Sequence, residues 1–358
     1  MKFVHIADVH LGAAPDVGYP WNETRQQEIW DSFRRVIDGI KEEGADLLLI
    51  SGDLFHGQPL VRELKEVAYL FEGIPGTTVV LIAGNHDYLK ADSHYRTFAW
   101  PENVICLWED HCVSRYIPHI YTYVYGMSYV NREILEPVYN QTYDDGATLL
   151  ESEHADACHI LVAHGGDEKH IPINMRKLAD VGFDYIALGH IHKPQILQEN
   201  AIAYAGVLEP LDKNDIGKHG YIKGVFENGK ISAHFVEAAC RSYCHEEIQI
   251  DTATTQLSLA DRIRERMQAC GADNIYKLTL TGYRDADVTF ALPQLKTLGN
   301  IVEIVDETQP DYDFDRLSEQ YEGTLIGKFI DSFPKEGRTR VESKALYYGL
   351  QAMLEAKE

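Results

Sequence analysis

Short, strongly apolar runs recur along the first half of the chain, and each stops at a cluster of turn and polar residues. KFVHIA ends in Asp8-Val9-His10, LLLIS in Gly52-Asp53, and VVLIA in Gly84-Asn85-His86-Asp87. HILVA ends in His164, and YIAL in Gly189-His190-Ile191-His192. Apolar runs of this length, bounded by turn residues, read as buried strands. Between them the spacing changes to that of a helix. Ile29, Phe33, Val36, Ile37 and Ile40 share one face of 24–42, with Asn22 or Thr24 as candidate N-cap. Leu64, Val67, Ala68 and Phe71 repeat that pattern. Alternating strands and helices predict parallel strands joined by right-handed crossovers. Ligands of such sheets collect at the carboxyl ends of the strands. The expectation is that five strand ends deliver Asp, Asn and His to one edge of one sheet.

The pattern then shifts. Residues 103–130 are β-branched and aromatic and predict a pair of antiparallel strands, and 131–156 are polar and acidic, ending in a short helix or loop. The strand–helix pattern returns at 158–192, and short strands follow over 200–237, with Glu227-Asn228-Gly229-Lys230 as a hairpin turn. Residues 1–240 therefore predict an α/β fold, a two-sheet sandwich flanked by helices. A compact βαβαβ unit is expected over 243–308, with strands at 246–250, 276–282 and 301–306 and helices at 258–269 and 289–297. An acidic linker at 306–313 leads to two C-terminal helices within 313–358, striped by Phe314, Leu317, Tyr321, Leu325, Phe329 and Phe333, then by Val341 to Leu354.

At 358 residues, two domains are expected, one larger than the other. No stretch approaches the ~20 apolar residues that span a bilayer, and no signal peptide precedes Asp8, so a soluble, cytoplasmic protein is expected. The six cysteines form no CxxC pair. Cys240, Cys244 and His245 lack a fourth ligand at zinc spacing, so reduced thiols are expected. The formal charge of −23 argues against tight autonomous DNA binding, which draws on Lys and Arg. It does not argue against phosphoester chemistry, because bound cations add local positive charge.

The strand ends carry the chemistry. Asp8, His10, Asp53, Asn85, His164, His190 and His192 offer nitrogen and oxygen donors without thiolate, a set suited to Mn²⁺, Fe²⁺ or Zn²⁺. One carboxylate, Asp53, can bridge two ions at the ~3.5–4 Å separation of two-metal sites, which generate a nucleophile from water near neutral pH. His86, beside Asn85, is the candidate proton donor to the leaving alkoxide. Asp87 is expected to orient His86 or a ligand histidine. Of the sixteen histidines, those at 10, 56, 86, 164, 190 and 192 fit such a centre. His5, His159 and His234 fall within strands, and His94, His111, His119, His154, His170, His219 and His245 are expected to face solvent.

The set D-x-H, GD, GNH(D), H and GH-x-H resembles the signature of the calcineurin-like metallophosphoesterases over roughly residues 1–240. The resemblance implies that Asp8, His10, Asp53 and His192 hold one metal and that Asp53, Asn85, His164 and His190 hold the other. His86 then donates the proton or stabilises the phosphate. The segment GDLFH at 52–56 looks like the DNA-repair exonuclease branch, the SbcD and meiotic-recombination-eleven type, in which His56 lies near the substrate phosphate. That branch implies a Mn²⁺-dependent DNA exonuclease or endonuclease, a capping domain over 243–308, and C-terminal helices that dock an SMC-like coiled-coil ATPase. It also implies a homodimer. A phosphodiesterase or phosphatase for nucleotides or other small phosphoesters is the alternative, and a non-catalytic scaffold for the ATPase is a third reading.

Overall fold

The computed structural model describes residues 1–139, 154 and 156–356. Much of the acidic stretch expected to end in a short helix or loop lies outside them. The chain divides into two compact units, residues 1–245 with 271–277 and residues 246–270 with 278–358.

The first unit holds two six-stranded sheets. Its elements run β1 (Lys2–Ile6), α1 (Asn22–Glu43), β2 (Leu47–Ser51), α2 (Val61–Glu72), β3 (Thr78–Ile82), β4 (Val104–Cys106), β5 (Val113–Ile117) and β6 (Thr122–Gly126). After these come β7 (Cys158–His164), a short helix Met175–Ala179, β8 (Tyr185–Gly189), β9 (Gln195–Gln198), β10 (Ile202–Tyr204), β11 (Gly220–Glu227) and β12 (Lys230–Glu237). One sheet has the order β12-β11-β1-β2-β3-β4, the other β5-β6-β7-β8-β10-β9. β1 to β4 are parallel, as are β6, β7 and β8.

Side chains alternate across a strand, so each buried strand feeds two cores. From β1 to β3, Phe3, Leu47, Leu49, Val80 and Ile82 point between the sheets, where they meet Val124, Ile160, Val162 and Tyr185. Their neighbours Val4, Ile6, Leu48, Ile50, Val79 and Leu81 pack under Ile29, Phe33, Val36, Leu64, Val67 and Phe71 of the two helices. Burial on both faces is why these runs read as continuously apolar. The sandwich expectation therefore holds.

Local details differ from the sequence pattern. Asn22 opens α1 without capping it, because its amide donates to the Pro15 carbonyl at 2.5 Å. The region 103–130 supplies three strands. β5 and β6 form the expected antiparallel pair, while β4 leaves to extend the other sheet beside β3. The turn between β11 and β12 falls at Asn228-Gly229, with φ of 53° and 71°, as a two-residue hairpin requires.

The remaining chain contains β13 (Tyr243–Ile250), a helix Gln256–Cys270, β14 (Ile275–Arg284), β15 (Ile301–Asp306) and β16 (Gln309–Pro310). β13, β14 and β15 are neighbours in that order, and β16 adds to β14. The helix expected over 289–297 shrinks to Leu292–Leu295 plus a 3₁₀ turn; Pro293 has no N–H to bond the carbonyl four residues back, which bars a start at 289 but is tolerated in the first turn of a helix that opens at Leu292. The first C-terminal stripe breaks into helices Phe314–Gln320 and Leu325–Asp331. Gly323 takes φ of 75° between them, and Thr324 caps the second. Ile326 and Ile330 then pack on Leu346 and Leu350 of helix Arg340–Glu355. Among the described residues no helix is long and apolar enough to cross a membrane.

Candidate metal centre

The five strand ends meet, but from two sheets rather than one. β1, β2 and β3 carry Asp8, His10, Asp53 and Asn85, while β7 and β8 of the facing sheet carry His164, His190 and His192. The sandwich supplies the reason: one sheet edge presents ligands from one side only, whereas two facing sheets enclose the site.

The loops after β1 and β2 interlock. Asp8 N–H donates to Gly52 O at 3.1 Å, His10 N–H to Asp53 O at 3.0 Å, and His56 N–H to Leu11 O at 3.0 Å. Asp8, His10 and Asp53 have φ of 50°, 52° and 48°, and His190 has 95°. Such values are unusual outside glycine and persist where the surroundings hold them. Glycine is required where the strand ends crowd. A Cβ on Gly52 would fall 2.5 Å from His164 Nδ1, and one on Gly84 would overlap the Asp53 carboxylate.

Two sets of donors result. In one, His10 Nε2 and His192 Nε2 are 3.3 Å apart, with Asp8 close enough that one donor atom from each of the three lies within 4.8 Å of the others. In the other, Asn85 Oδ1 stands 2.9 Å from His164 Nε2 and 3.1 Å from His190 Nδ1. Asp53 Oδ2 lies between them, 3.9 Å from His10 Nε2 and 3.4 Å from His164 Nε2. Asp8 takes the His190 N–H on both oxygens, at 3.1 and 2.9 Å.

The electrostatics are those of a cation site. Burial raises the Asp8 carboxyl to about 6 despite His164 and His192 nearby. Burial works against charge on Asp53 as well, but His164 and His10 hold it below the usual carboxylate range. Burial also disfavours the His164 imidazolium, yet Asp53 and Asp8 prevail and lift it to about 9. Without other cations, protons carry the positive charge these carboxylates demand. The buried Nδ1 of His10 has no partner among the described residues. Crowded nitrogen and oxygen donors with a carboxylate between them fit two divalent ions of the Mn²⁺, Fe²⁺ or Zn²⁺ kind.

His56 and His86 stand on the open side. His56 is exposed and His86 partly so, whereas His10 beneath them is buried. Their rings lie 5.1 Å apart, and the His10 ring is 5.3 Å from His56 and 4.8 Å from His86. His86 Nδ1 pairs with the His56 carbonyl at 3.2 Å. Burial and the adjacent His86 lower the His56 pKa.

Asp87 does something other than orient a histidine. Its carboxylate accepts Gly84 N–H at 2.8 Å, Phe55 N–H at 3.1 Å and Tyr95 O–H at 2.8 Å. It ties together the loops that bear Asp53 and Asn85, and burial pushes its pKa up to about 7.

Two acids escaped the sequence reading. Asp167 Oδ2 meets His190 Nε2 at 2.8 Å, and both Asp215 oxygens meet His192 Nδ1 at 3.2 Å. Asp167 stands three residues after His164, a short-range signal; Asp215 sits in a loop that no motif marks. His170 also binds Asp167, at 2.9 Å, and His219 is buried, so neither is the solvent-facing residue its polar context predicts. The six cysteines form no disulfide among the described residues, and Cys240, Cys244 and His245 join none of the candidate metal groups there.

A two-sheet α/β sandwich with these donors at its strand ends defines a metal-dependent phosphoester hydrolase. The chain belongs to the calcineurin-like phosphoesterases, whose family profile matches residues 1–194. It is 28% identical over 312 residues to the uncharacterized metallophosphoesterase YhaO of Bacillus subtilis, covering 79% of this chain and 72% of that protein. It is 27% identical over 282 residues to the DNA double-strand break repair protein Mre11 of Archaeoglobus fulgidus, covering 70% and 62%. The Mre11 of Methanocaldococcus jannaschii is 29% identical over 225 residues, covering 60% and 58%. The chain thus spans less than two thirds of the length of these two Mre11 proteins.

Proposed function

We propose that this phosphoesterase is a Mn²⁺-dependent DNA exonuclease and endonuclease acting in repair with an SMC-like coiled-coil ATPase. The observation that carries the reading is the exposed His56 of GDLFH, seated beside His86 on the open side of the donor cluster. A second imidazole at the mouth suits a substrate whose phosphate is held between flanking nucleotides. The similarity to proteins named for DNA double-strand break repair supports it.

In this reading Asp8, His10, Asp53 and His192 hold one ion, and Asp53, Asn85, His164 and His190 hold the other. Bound there, the ions supply an activated water and charge stabilisation at the phosphoryl oxygens. His86 gives the leaving alkoxide its proton. Its Nδ1–H donates to the His56 carbonyl, so the imidazolium form is the one that carries a transferable proton on Nε2. His56 steadies the phosphate, and Asp87 braces the loops beneath. Residues 243–308 act as a capping domain that presents a DNA end, and the helices of 313–358 dock the ATPase. A homodimer and a cytoplasmic location complete the proposal. With a net charge of −23, most of the grip on DNA falls to the ions and the partner.

Protein with Mn²⁺ is expected to degrade end-labelled linear duplex or single-stranded DNA. Inertness on DNA, with and without the ATPase, alongside cleavage of bis-p-nitrophenyl phosphate, would sink the nuclease reading. The acidic charge favours one competitor, a phosphodiesterase or phosphatase for nucleotides and other small phosphoesters. A nucleotide panel separates the two.

A further inference from the structure

The histidines of the His-x-His motif present different nitrogens to the centre. His190 turns Nδ1 toward Asn85 Oδ1 at 3.1 Å, while His192 turns Nε2 toward His10 Nε2 at 3.3 Å. A neutral imidazole has one N–H and one lone pair, so offering a nitrogen to a metal requires the proton to sit on the other. For His164 a backbone group takes that role, because Ser51 O meets its Nδ1 at 2.8 Å and leaves Nε2 for the centre. For His190 and His192 a carboxylate does.

We infer that Asp167 and Asp215 are positioning residues that fix opposite tautomers of His190 and His192, so that one histidine serves each ion through a different nitrogen. Asp167 Oδ2 accepts from His190 Nε2 at 2.8 Å, and Asp215 accepts from His192 Nδ1 at 3.2 Å. Both acids are themselves held. Asp167 takes the backbone N–H groups of Lys169 and His170 at 2.8 and 2.9 Å, and Asp215 takes that of Leu211 at 2.8 Å. Each therefore arrives preset and aims its histidine.

Exposure separates the expected effects. The Asp167 side chain is 46% exposed, so water can partly replace it, whereas that of Asp215 is 11% exposed.

The inference rests on the two-ion centre and is independent of the substrate. Its test titrates metal-free protein with Zn²⁺ by calorimetry and reads the Zn²⁺-loaded protein by long-range ¹H–¹⁵N NMR of the imidazoles. Wild type is expected to bind two ions, with a protonated Nε2 on His190 and a protonated Nδ1 on His192. Loss of such an outer partner typically costs about 10–100-fold in metal affinity. Asp215→Ala should weaken one ion by close to ~100-fold and spare the other, and Asp167→Ala should weaken the other ion by nearer ~10-fold. Asp167→Asn and Asp215→Asn keep an accepting oxygen and should recover most of the affinity. Unchanged affinity, unchanged protonated nitrogens, or an equal loss of both ions in either alanine variant would overturn the assignment. Should an alanine variant fail to fold, Asp167→Leu and Asp215→Leu, which fill similar space without an acceptor, should show the same loss of one ion and the same change of protonated nitrogen, and an unchanged spectrum would overturn the assignment. A wild type that binds fewer than two ions would overturn the centre itself, a result distinct from those.

Discussion

His86 donates its backbone N–H to Asp53 Oδ1 at 2.8 Å, which couples the candidate acid to the candidate bridging carboxylate through the main chain alone. The His86 side chain contributes nothing to that bond. His86→Ala should therefore keep both ions while losing roughly 10²–10⁴-fold in turnover, the usual weight of a general acid. Metal content by elemental analysis, set beside turnover of a small phosphodiester, separates the two effects. Loss of metal would make His86 a ligand.

Asp53 Oδ2 lies within 4 Å of a nitrogen from each donor set, His10 Nε2 and His164 Nε2. Asp53→Ala is expected to empty both sites together. Gly84→Ala should do nearly the same without touching a donor, because the new Cβ would overlap the Asp53 carboxylate. Elemental analysis of each purified variant checks this, and a Gly84→Ala protein with two full ions would show that the loop can yield.

The strand ends were legible because the burial that makes these runs apolar also places their carboxyl ends together. Leu47 to Ser51 and Cys158 to His164 are buried throughout, so each motif follows a signal that a single sequence carries strongly. The sheet to which each belongs was not legible, since β2 and β7 look alike as apolar runs and only tertiary pairing separates them. Asp215 was illegible for a related reason: it lies in a loop four residues from Leu211, whose N–H holds it, and twenty-three from the histidine it serves. The break at Gly323-Thr324 was readable in principle as a stop followed by a cap, but the apolar stripe runs across it unbroken.

Asp87 makes its contribution to stability, and so does the phenol that serves it. Tyr95 is buried, and its O–H donates to Asp87 Oδ2 at 2.8 Å. Tyr95→Phe keeps the ring against Phe55 and Trp108 and removes one donor from a buried carboxyl. Leaving such a group short of a partner costs about 1–3 kcal/mol. Urea unfolding of the metal-free protein should report a loss in that range with an unchanged m-value. A loss near zero would mean that the carboxyl is neutral and repartnered when the phenol leaves.

His5 gives the clearest dependence on pH, because it sits between the sheets and away from the donor cluster. It is fully buried, its Nδ1 pairs with Tyr185 O–H at 3.1 Å, and burial lowers its pKa to about 3. The unfolded chain protonates this imidazole near its ordinary ~6.5. Below that value the unfolded state binds a proton that the folded state refuses, so the contribution of His5 is present above pH ~6.5 and declines as pH falls toward 3. The slope in that window approaches ~1.4 kcal/mol per pH unit. His5→Leu removes the titrating group from a site lined by Phe3 and Tyr185. Its absolute stability at pH 7 should fall, since a buried hydrogen bond is lost, but its stability should decline less steeply between pH 6 and pH 4 than that of wild type. Parallel curves for the two metal-free proteins across that range would mean that His5 gains a proton in the folded state too.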